Sequence, residues 1–210
     1  MTQKQFQAAA AVTSAVAARW IEPLNAALNE FSITAPADIA MFIAQIGHES
    51  QSFSRVVENL NYQPGALKAR FSRHRITEEQ ADKFGRTPAH PANQEAIANI
   101  IYGGDWGLEN LGNKAPGDGW KYRGRGLPQI TGLANYTGCG AALKLDLVNH
   151  PELLELDINA ARAAAWFYTS KGCMAYGADV RRVTKIINGG LNGLDDRLDR
   201  YNKARAALLV

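Results

Sequence analysis

Two glutamates, Glu49 and Glu58, stand 58 − 49 = 9 residues apart. A pair of carboxyl groups is the common equipment for cutting a glycosidic bond. One protonates the leaving oxygen, and the other activates water or attacks as a nucleophile. A general acid must keep its proton near neutral pH, which burial or a neighbouring like charge allows. Glu49 has the sequence context for that role. Ile39, Phe42, Ile43 and Ile46 recur at i, i+3, i+4 and i+7. Glu49 lies three residues past Ile46 and seven past Phe42, on the same apolar stripe. A carboxyl on a core-facing stripe is a local contradiction, and contradictions of this kind mark function. The pattern alone equally allows a helix-end Glu that reaches to solvent.

Glu58 is the nearest candidate partner. On one continuous helix it would sit ~13.5 Å further along and on the opposite face. The two can cooperate only if the chain turns after Glu49, and Ser50, Gln51, Ser52 and Ser54 weaken the helix there. Read without Glu49, Glu58 is an ordinary surface residue.

Other chemistry-like stretches are weaker. Gly124-Arg-Gly126 is a fragment of a nucleotide-binding loop, since position 129 is Gln rather than the third Gly. His48-Glu49 is not a zinc-protease motif, because position 52 is Ser. His74, His90 and His150 have no ligand spacing, so neither a metal nor a cofactor is expected. Trp120 and Tyr122, in a glycine-rich loop, are candidates for stacking on sugars, whereas Trp166 lies in an apolar run and is expected in the core.

The elements that must position these residues read as helical. Thr34 is the expected N-cap of the helix carrying Glu49, with Pro36 in its first turn. Residues 103–126 are rich in Gly, Asn, Asp and Pro and read as loop. Helix is expected from Pro151 to Tyr168 and from about Asp195 to Leu208, the last with Leu194, Leu198, Tyr201, Arg205 and Leu208 along one side. Strand signals are weak. The fold class expected is mainly α.

The chain has 210 residues, 46% hydrophobic and 20% charged, which is the composition of an ordinary globular protein. No apolar run approaches the ~18 residues of a membrane-spanning helix. The Ala-rich stretch from Ala8 to Ala18 is too polar for a convincing signal peptide. It places Phe6, Ala10, Thr13, Val16, Ala17 and Trp20 on one helical face. A net charge of +3, densest from Lys68 to Arg75, suits an anionic polymer or a solvated helix face, and does not demand nucleic acid. Two cysteines, Cys139 and Cys173, are too few for a disulfide framework.

Three segments carry a specific resemblance. Phe42-Ile-Ala-Gln-Ile-Gly-His-Glu-Ser50 resembles the stretch around the catalytic acid of family 19 chitinases. Tyr122-Arg-Gly-Arg-Gly-Leu-Pro-Gln-Ile-Thr-Gly132, with Asn135-Tyr136, is similar to that family's second signature. Thr184-Lys-Ile-Ile-Asn-Gly-Gly190, followed by Arg197, is similar to its third. They occur in the right order and span most of the chain. The resemblance implies Glu49 as acid after His48, Glu58 as base, and Thr131 as the hydroxyl that helps hold the attacking water. It further implies Gln129, Asn135 and Asn188 along the sugar cleft and Arg197 beside the carboxylates. Pro128 departs from the family's usual aliphatic residue, and Gly132-Leu-Ala lacks the aromatic that chitinases often carry before Asn135.

The resemblance implies a single catalytic domain over residues 1–210, lysozyme-superfamily-like and two-lobed, with a substrate cleft between the lobes and the smaller lobe drawn from about 61–112. It implies a phage-type endolysin: a monomer that hydrolyses β-1,4 bonds between aminosugars of peptidoglycan with inversion. Such a protein would accumulate in the host bacterial cytoplasm and reach the wall through a holin-type membrane-lesion partner. The rivals are a lytic transglycosylase, which needs only the acid, a chitinase, and a glycan-binding module without activity.

Overall fold

The computed structural model describes residues 1–209. In chain order its α-helices are α1 (Gln3–Ala10), α2 (Ser14–Glu30), α3 (Pro36–Glu49), α4 (Pro64–Arg70), α5 (Glu78–Phe84), α6 (Gln94–Ile101), α7 (Gly104–Leu111), α8 (Asp118–Lys121), α9 (Leu133–Leu143), α10 (Asp157–Ser170), α11 (Val180–Asn188) and α12 (Leu194–Leu208). Short 3₁₀ turns span Pro151–Glu155 and Cys173–Tyr176. Extended pairing among the described residues is limited to isolated antiparallel bridges, Val57 with Arg125 and Arg125 with Ile130. The mainly helical expectation holds. The chain divides into two compact units.

The first unit comprises Met1–Val56, Gly126–Gln129 and the chain from Glu152 onward. Here α3 packs against α12 and α1, and α2 packs against α10. The heart of α3 is buried from Ala40 to Gly47, which explains its almost unbroken apolar sequence. Its N-cap is Ala35, without a side-chain hydrogen bond, and Pro36 opens the helix; the expected Thr34 cap lies one residue too early. Trp20, Phe6 and Phe53 form an aromatic cluster. Phe6 and Phe53 meet edge to face at 5.1 Å, and Trp20 Nε1 donates to the Phe53 carbonyl at 2.8 Å.

The N-terminal stretch is two helices rather than one. Ala11 adopts φ 51° and Thr13 caps α2 by accepting from Val16 N. The break lets Phe6, Ala9 and Ala10 of α1, and Ala17 and Trp20 of α2, all reach the core. In α12 the buried line is Arg197, Tyr201 and Ala204, while Leu198 is 38% exposed. The leucine stripe expected there is displaced because a buried arginine, not a leucine, faces α3. Tyr168 of α10 fills the core against Phe42, and Trp166 is only half-buried.

The second unit comprises Val57–Arg125 and Ile130–Pro151. It is wider than the 61–112 segment expected from the sequence. Its core gathers Leu60, Leu67, Phe71, Ile76, Ala81, Ile97, Ala98 and Ile101 from α4, α5, α6 and their connections. The stretch read as loop from 103 to 126 contains α7 and α8. Its glycines serve packing as well as turning: a Cβ on Gly119 would lie 2.5 Å from the Ala98 carbonyl oxygen, so only glycine lets α8 sit on α6. The basic run is largely spent within this unit. Lys68 pairs with Asp82, Arg73 donates to the carbonyls of Lys68 and Phe71, and Arg75 donates to the Ile101 carbonyl beneath the Trp106 ring. That arrangement is a helix-stapling role rather than a free positive surface.

Candidate active site

Glu49 is the last residue of α3, and the chain turns immediately after it. Gln51, Ser52 and Phe53 occupy left-handed backbone conformations in succession, with φ of 51°, 59° and 61°. Non-glycine residues pay about 1–2 kcal/mol each for this conformation, so it persists only where the surroundings hold it. Ser50 does much of the holding. Its hydroxyl donates to the Ile46 carbonyl at 2.7 Å and accepts from Phe53 N at 2.9 Å. Burial of the Phe53 ring does the rest. The turn expected from the serine-rich sequence is present.

A buried polar chain surrounds Glu49. Arg197, 1% exposed, donates from Nη2 to Glu49 Oε1 at 2.5 Å and from Nη1 to Gln45 Oε1 at 2.6 Å. Gln45 in turn donates to Thr184 Oγ1 of α11 at 3.3 Å. Three helices thus contribute to one network, and Glu49 Oε2 is left without a hydrogen-bond partner among the described residues. The Arg197 Nε is buried and also unpartnered. A fork-shaped guanidinium suits this position because it can serve a carboxylate and an amide oxygen at once. Sequence reasoning missed Gln45 and Thr184. The signal available for Gln45 was a polar residue one turn before Glu49 in an otherwise apolar helix.

His48 points elsewhere. Its Nδ1 meets Asp196 Oδ2 at 2.7 Å, and Asp196 also accepts from Arg200 Nε at 2.7 Å. Arg200 reaches on to Ser52 Oγ at 3.0 Å, tying the turn to α12. Gly193, at φ 72°, lies against the imidazole so closely that any Cβ would overlap the ring. Asp196 is held below the ordinary carboxylate range: burial opposes its charge, but hydrogen bonds from Arg200 and His48 outweigh it.

Glu58 belongs to the second unit and is held by two donors of that unit. Gly124 N donates to Oε1 at 2.6 Å, and the Tyr102 hydroxyl donates to Oε2 at 2.8 Å. The Glu58 amide returns a bond to the Gly124 carbonyl at 2.9 Å. Burial, reinforced by the charge of Glu58, drives the Tyr102 phenol far above its ordinary range, so it remains a donor at all working pH values. Tyr102 was not singled out from the sequence, since nothing near it in the chain suggests a carboxylate. In the same unit Asn135 Nδ2 donates to the Thr131 carbonyl at 2.7 Å, which links those two residues at the start of α9.

The remaining expected residues divide. Gln129, in the first unit, has φ 56° and donates to the Gly126 carbonyl at 2.9 Å. Asn188 is exposed at the C-terminal end of α11. Trp120 is half-buried with the Arg123 guanidinium 3.7 Å from its ring. Tyr122 is a correction. It is 3% exposed, its hydroxyl donates to the Val148 carbonyl and its ring packs on Tyr136, so it is core and presents no face to a sugar. Cys139 and Cys173 are buried and do not form a disulfide with each other, and burial pushes the Cys173 thiol up to about 11. Among the described residues no group of three or more His, Cys, Asp or Glu is placed to hold a metal ion, and no helix is long and apolar enough to cross a membrane.

Comparison with known proteins gives this arrangement a context. No protein-family profile matches the chain. A glycosyl hydrolase family 19 domain-containing protein of Haemophilus influenzae is 41% identical over 162 residues, covering 77% of this chain and 76% of that protein. An acidic endochitinase of Petunia hybrida is 35% identical over 154 residues, covering 60% of this chain and 59% of its own. A crystal structure of a bacterial family 19 chitinase superposes with a TM-score of 0.59 at 21% identity, covering all of this chain and 95% of its own, and so shows the shared fold. At that identity and coverage in the Haemophilus relative, and with the mostly helical fold shared, the chain belongs to glycoside hydrolase family 19.

Proposed function

We propose that this glycoside hydrolase cuts β-1,4 bonds between aminosugars of bacterial peptidoglycan, with inversion, using Glu49 as acid and Glu58 as base. The observation that carries the assignment of roles is the different setting of the two carboxyls. Glu49 has one oxygen on Arg197 and the other unpartnered, so a proton on Oε2 faces no competing acceptor. Glu58 has both oxygens occupied by donors, an arrangement that favours a carboxylate poised to accept. In the reaction Glu49 passes its proton to the leaving glycosidic oxygen as the anomeric carbon–oxygen bond breaks. Glu58 takes a proton from the water whose oxygen forms the new bond, with the Thr131 hydroxyl helping to orient that water. Arg197 then stabilises the negative charge left on Glu49.

Peptidoglycan rather than neutral chitin is supported by the net charge of +3, which favours an anionic polymer. We further propose an endolysin role: a monomer made in a bacterial host and delivered to the wall after a partner protein opens the membrane. Mass spectrometry of fragments released from purified peptidoglycan, run beside chitin oligosaccharides, tests the reading. Reducing-end muropeptides from a single hydrolysed linkage are expected. Anhydro-sugar products would instead identify a lytic transglycosylase, cleavage confined to chitin a chitinase, and no turnover on either a binding module.

A further inference from the structure

The buried and exposed sides of α11 do different things. Val180, Val183 and Thr184 are buried, and Thr184 joins the Gln45–Arg197–Glu49 network. At 100° per residue, Arg181, Lys185 and Asn188 fall in one exposed line alongside that buried face, with Arg182 further round toward solvent. This line runs ~10.5 Å along the helix from Arg181 to Asn188. It therefore connects a set of cations to a residue of the family's third motif.

Those cations are unlike most others in the unit. Arg19 pairs with Asp157, Arg162 with Glu30, Arg200 with Asp196 and Lys203 with Asp199. Arg181, Arg182 and Lys185 are exposed, and among the described residues none of them has a carboxylate within ion-pair distance. Together they border a cavity of about 610 Å³ whose apolar wall is Tyr176, Ile186 and Leu191. The Arg182 guanidinium lies 4.4 Å from the Tyr176 ring centre, which holds it over the cavity without neutralising it. Asp179 also borders the cavity, but its Oδ1 caps α11 by accepting from Arg182 N at 2.9 Å. Lys185 stands i+3 from Arg182 and i+4 from Arg181, spacings at which like charges repel and cost helix stability, and the single Asp179 carboxylate on the cavity offsets three cations only in part. A carboxylated ligand would answer them.

We propose that this face is an accessory substrate site that binds the carboxylates of the peptide stems carried by the glycan strand, next to the sugars that Asn188 meets. The proposal rests on peptidoglycan being the substrate. It gives that reading a physical basis for selectivity, because chitin carries no stems and no carboxylates. Three cations around an amphipathic cavity match a short peptide with acidic groups and apolar alanine side chains. The contribution is to affinity and not to the chemical step, so it belongs in KM.

The test compares wild type with the triple variant Arg181→Gln, Arg182→Gln, Lys185→Gln, whose exposed positions, helix-compatible replacements and relief of like-charge repulsion keep the thermal midpoint at or above that of wild type. The substrates are purified stem-bearing glycan fragments, free of teichoic acid, and the same fragments with every carboxyl converted to an amide. Wild type is expected to lose about tenfold in KM on the amidated fragments, and to lose its preference for the acidic ones at high salt. The variant is expected to show the weaker KM on both, with kcat unchanged, and Lys185→Arg alone to behave as wild type. If wild type cleaves both fragment types with equal KM, or if amidation weakens wild type and variant alike, the stem site is wrong while peptidoglycan hydrolysis stands. If wild type cleaves chitin oligosaccharides and neither fragment type, the substrate reading fails and the stem site falls with it.

Discussion

Arg197 and Glu49 are 148 residues apart in the chain, yet Arg197 Nη2 donates to Glu49 Oε1 at 2.5 Å from a position that is almost wholly buried. The pair fastens α12 to the end of α3, and Gln45 shares the same guanidinium. A buried ion pair adds little net stability against an apolar replacement, but removing one member leaves the other uncompensated. The pair is therefore better understood as fixing where the Glu49 carboxyl points.

Glu49→Gln should abolish hydrolysis while the protein stays folded, since the amide still accepts from Arg197 but cannot deliver a proton. Arg197→Met should cost more in stability, about 3–5 kcal/mol, because Glu49 and Gln45 both lose their donor. Denaturant melts beside activity assays separate the two outcomes. A Glu49→Gln enzyme with substantial turnover removes Glu49 from the acid role.

Glu58→Gln should reduce kcat by orders of magnitude with glycan binding largely kept, because the loss falls on the transition state. Tyr102→Phe removes one of the two donors to Glu58 and should cost about tenfold in kcat, in line with a single hydrogen bond to a charged group. Thr131→Ala should cost less than Glu58→Gln. Steady-state kinetics on soluble glycan fragments gives the order, and a Glu58→Gln enzyme as active as wild type would rule out the base.

Ser50→Ala tests the turn. The buried hydroxyl makes two hydrogen bonds that hold the three left-handed residues after Glu49. Its loss should destabilise the protein by about 1–3 kcal/mol, since it strands the Phe53 N–H. Activity should fall as well, because the turn fixes the end of α3 on which the Glu49 carboxyl sits. Equal stability of variant and wild type in urea would show that aromatic packing alone sustains the turn.

Acid stability should depend on Asp196 and Glu30. Each carboxyl is depressed in the folded protein. For Glu30 the hydrogen bond from Arg162 is the leading cause, and for Asp196 burial is outweighed by Arg200 and His48. A depressed folded value means stability that is complete above the unfolded values of about 3.9 for Asp and 4.3 for Glu, and that is lost as pH falls through the folded value. Asp196→Asn and Glu30→Gln should lower the thermal midpoint at about pH 6 and leave it close to wild type at about pH 2. Both groups are well exposed, so the shifts are small. Parallel pH profiles for variant and wild type would contradict the assignment.

The local pattern of the chain carried much of this. Periodicity around Ile39 to Ile46 was enough to find α3 and to see that Glu49 broke its stripe, because a helix repeats every 3.6 residues whatever surrounds it. Serines after Glu49 foretold a turn for an equally local reason. Three motifs were sufficient for the family. What the chain could not display was any relationship between distant segments. Arg197 as the buried partner of Glu49, Tyr102 and Gly124 as the holders of Glu58, and the withdrawal of Tyr122 into the core all arise from side chains that meet only after folding. The glycines from 103 to 126 read as loop because sequence does not distinguish a glycine that turns the chain from one that lets two helices touch. Burial of a polar residue is likewise decided by what packs over it, and in α12 it put an arginine where periodicity favoured leucine. Local hydrogen bonding and periodicity determine elements, whereas the site is made by tertiary packing, which brings together groups more than a hundred residues apart.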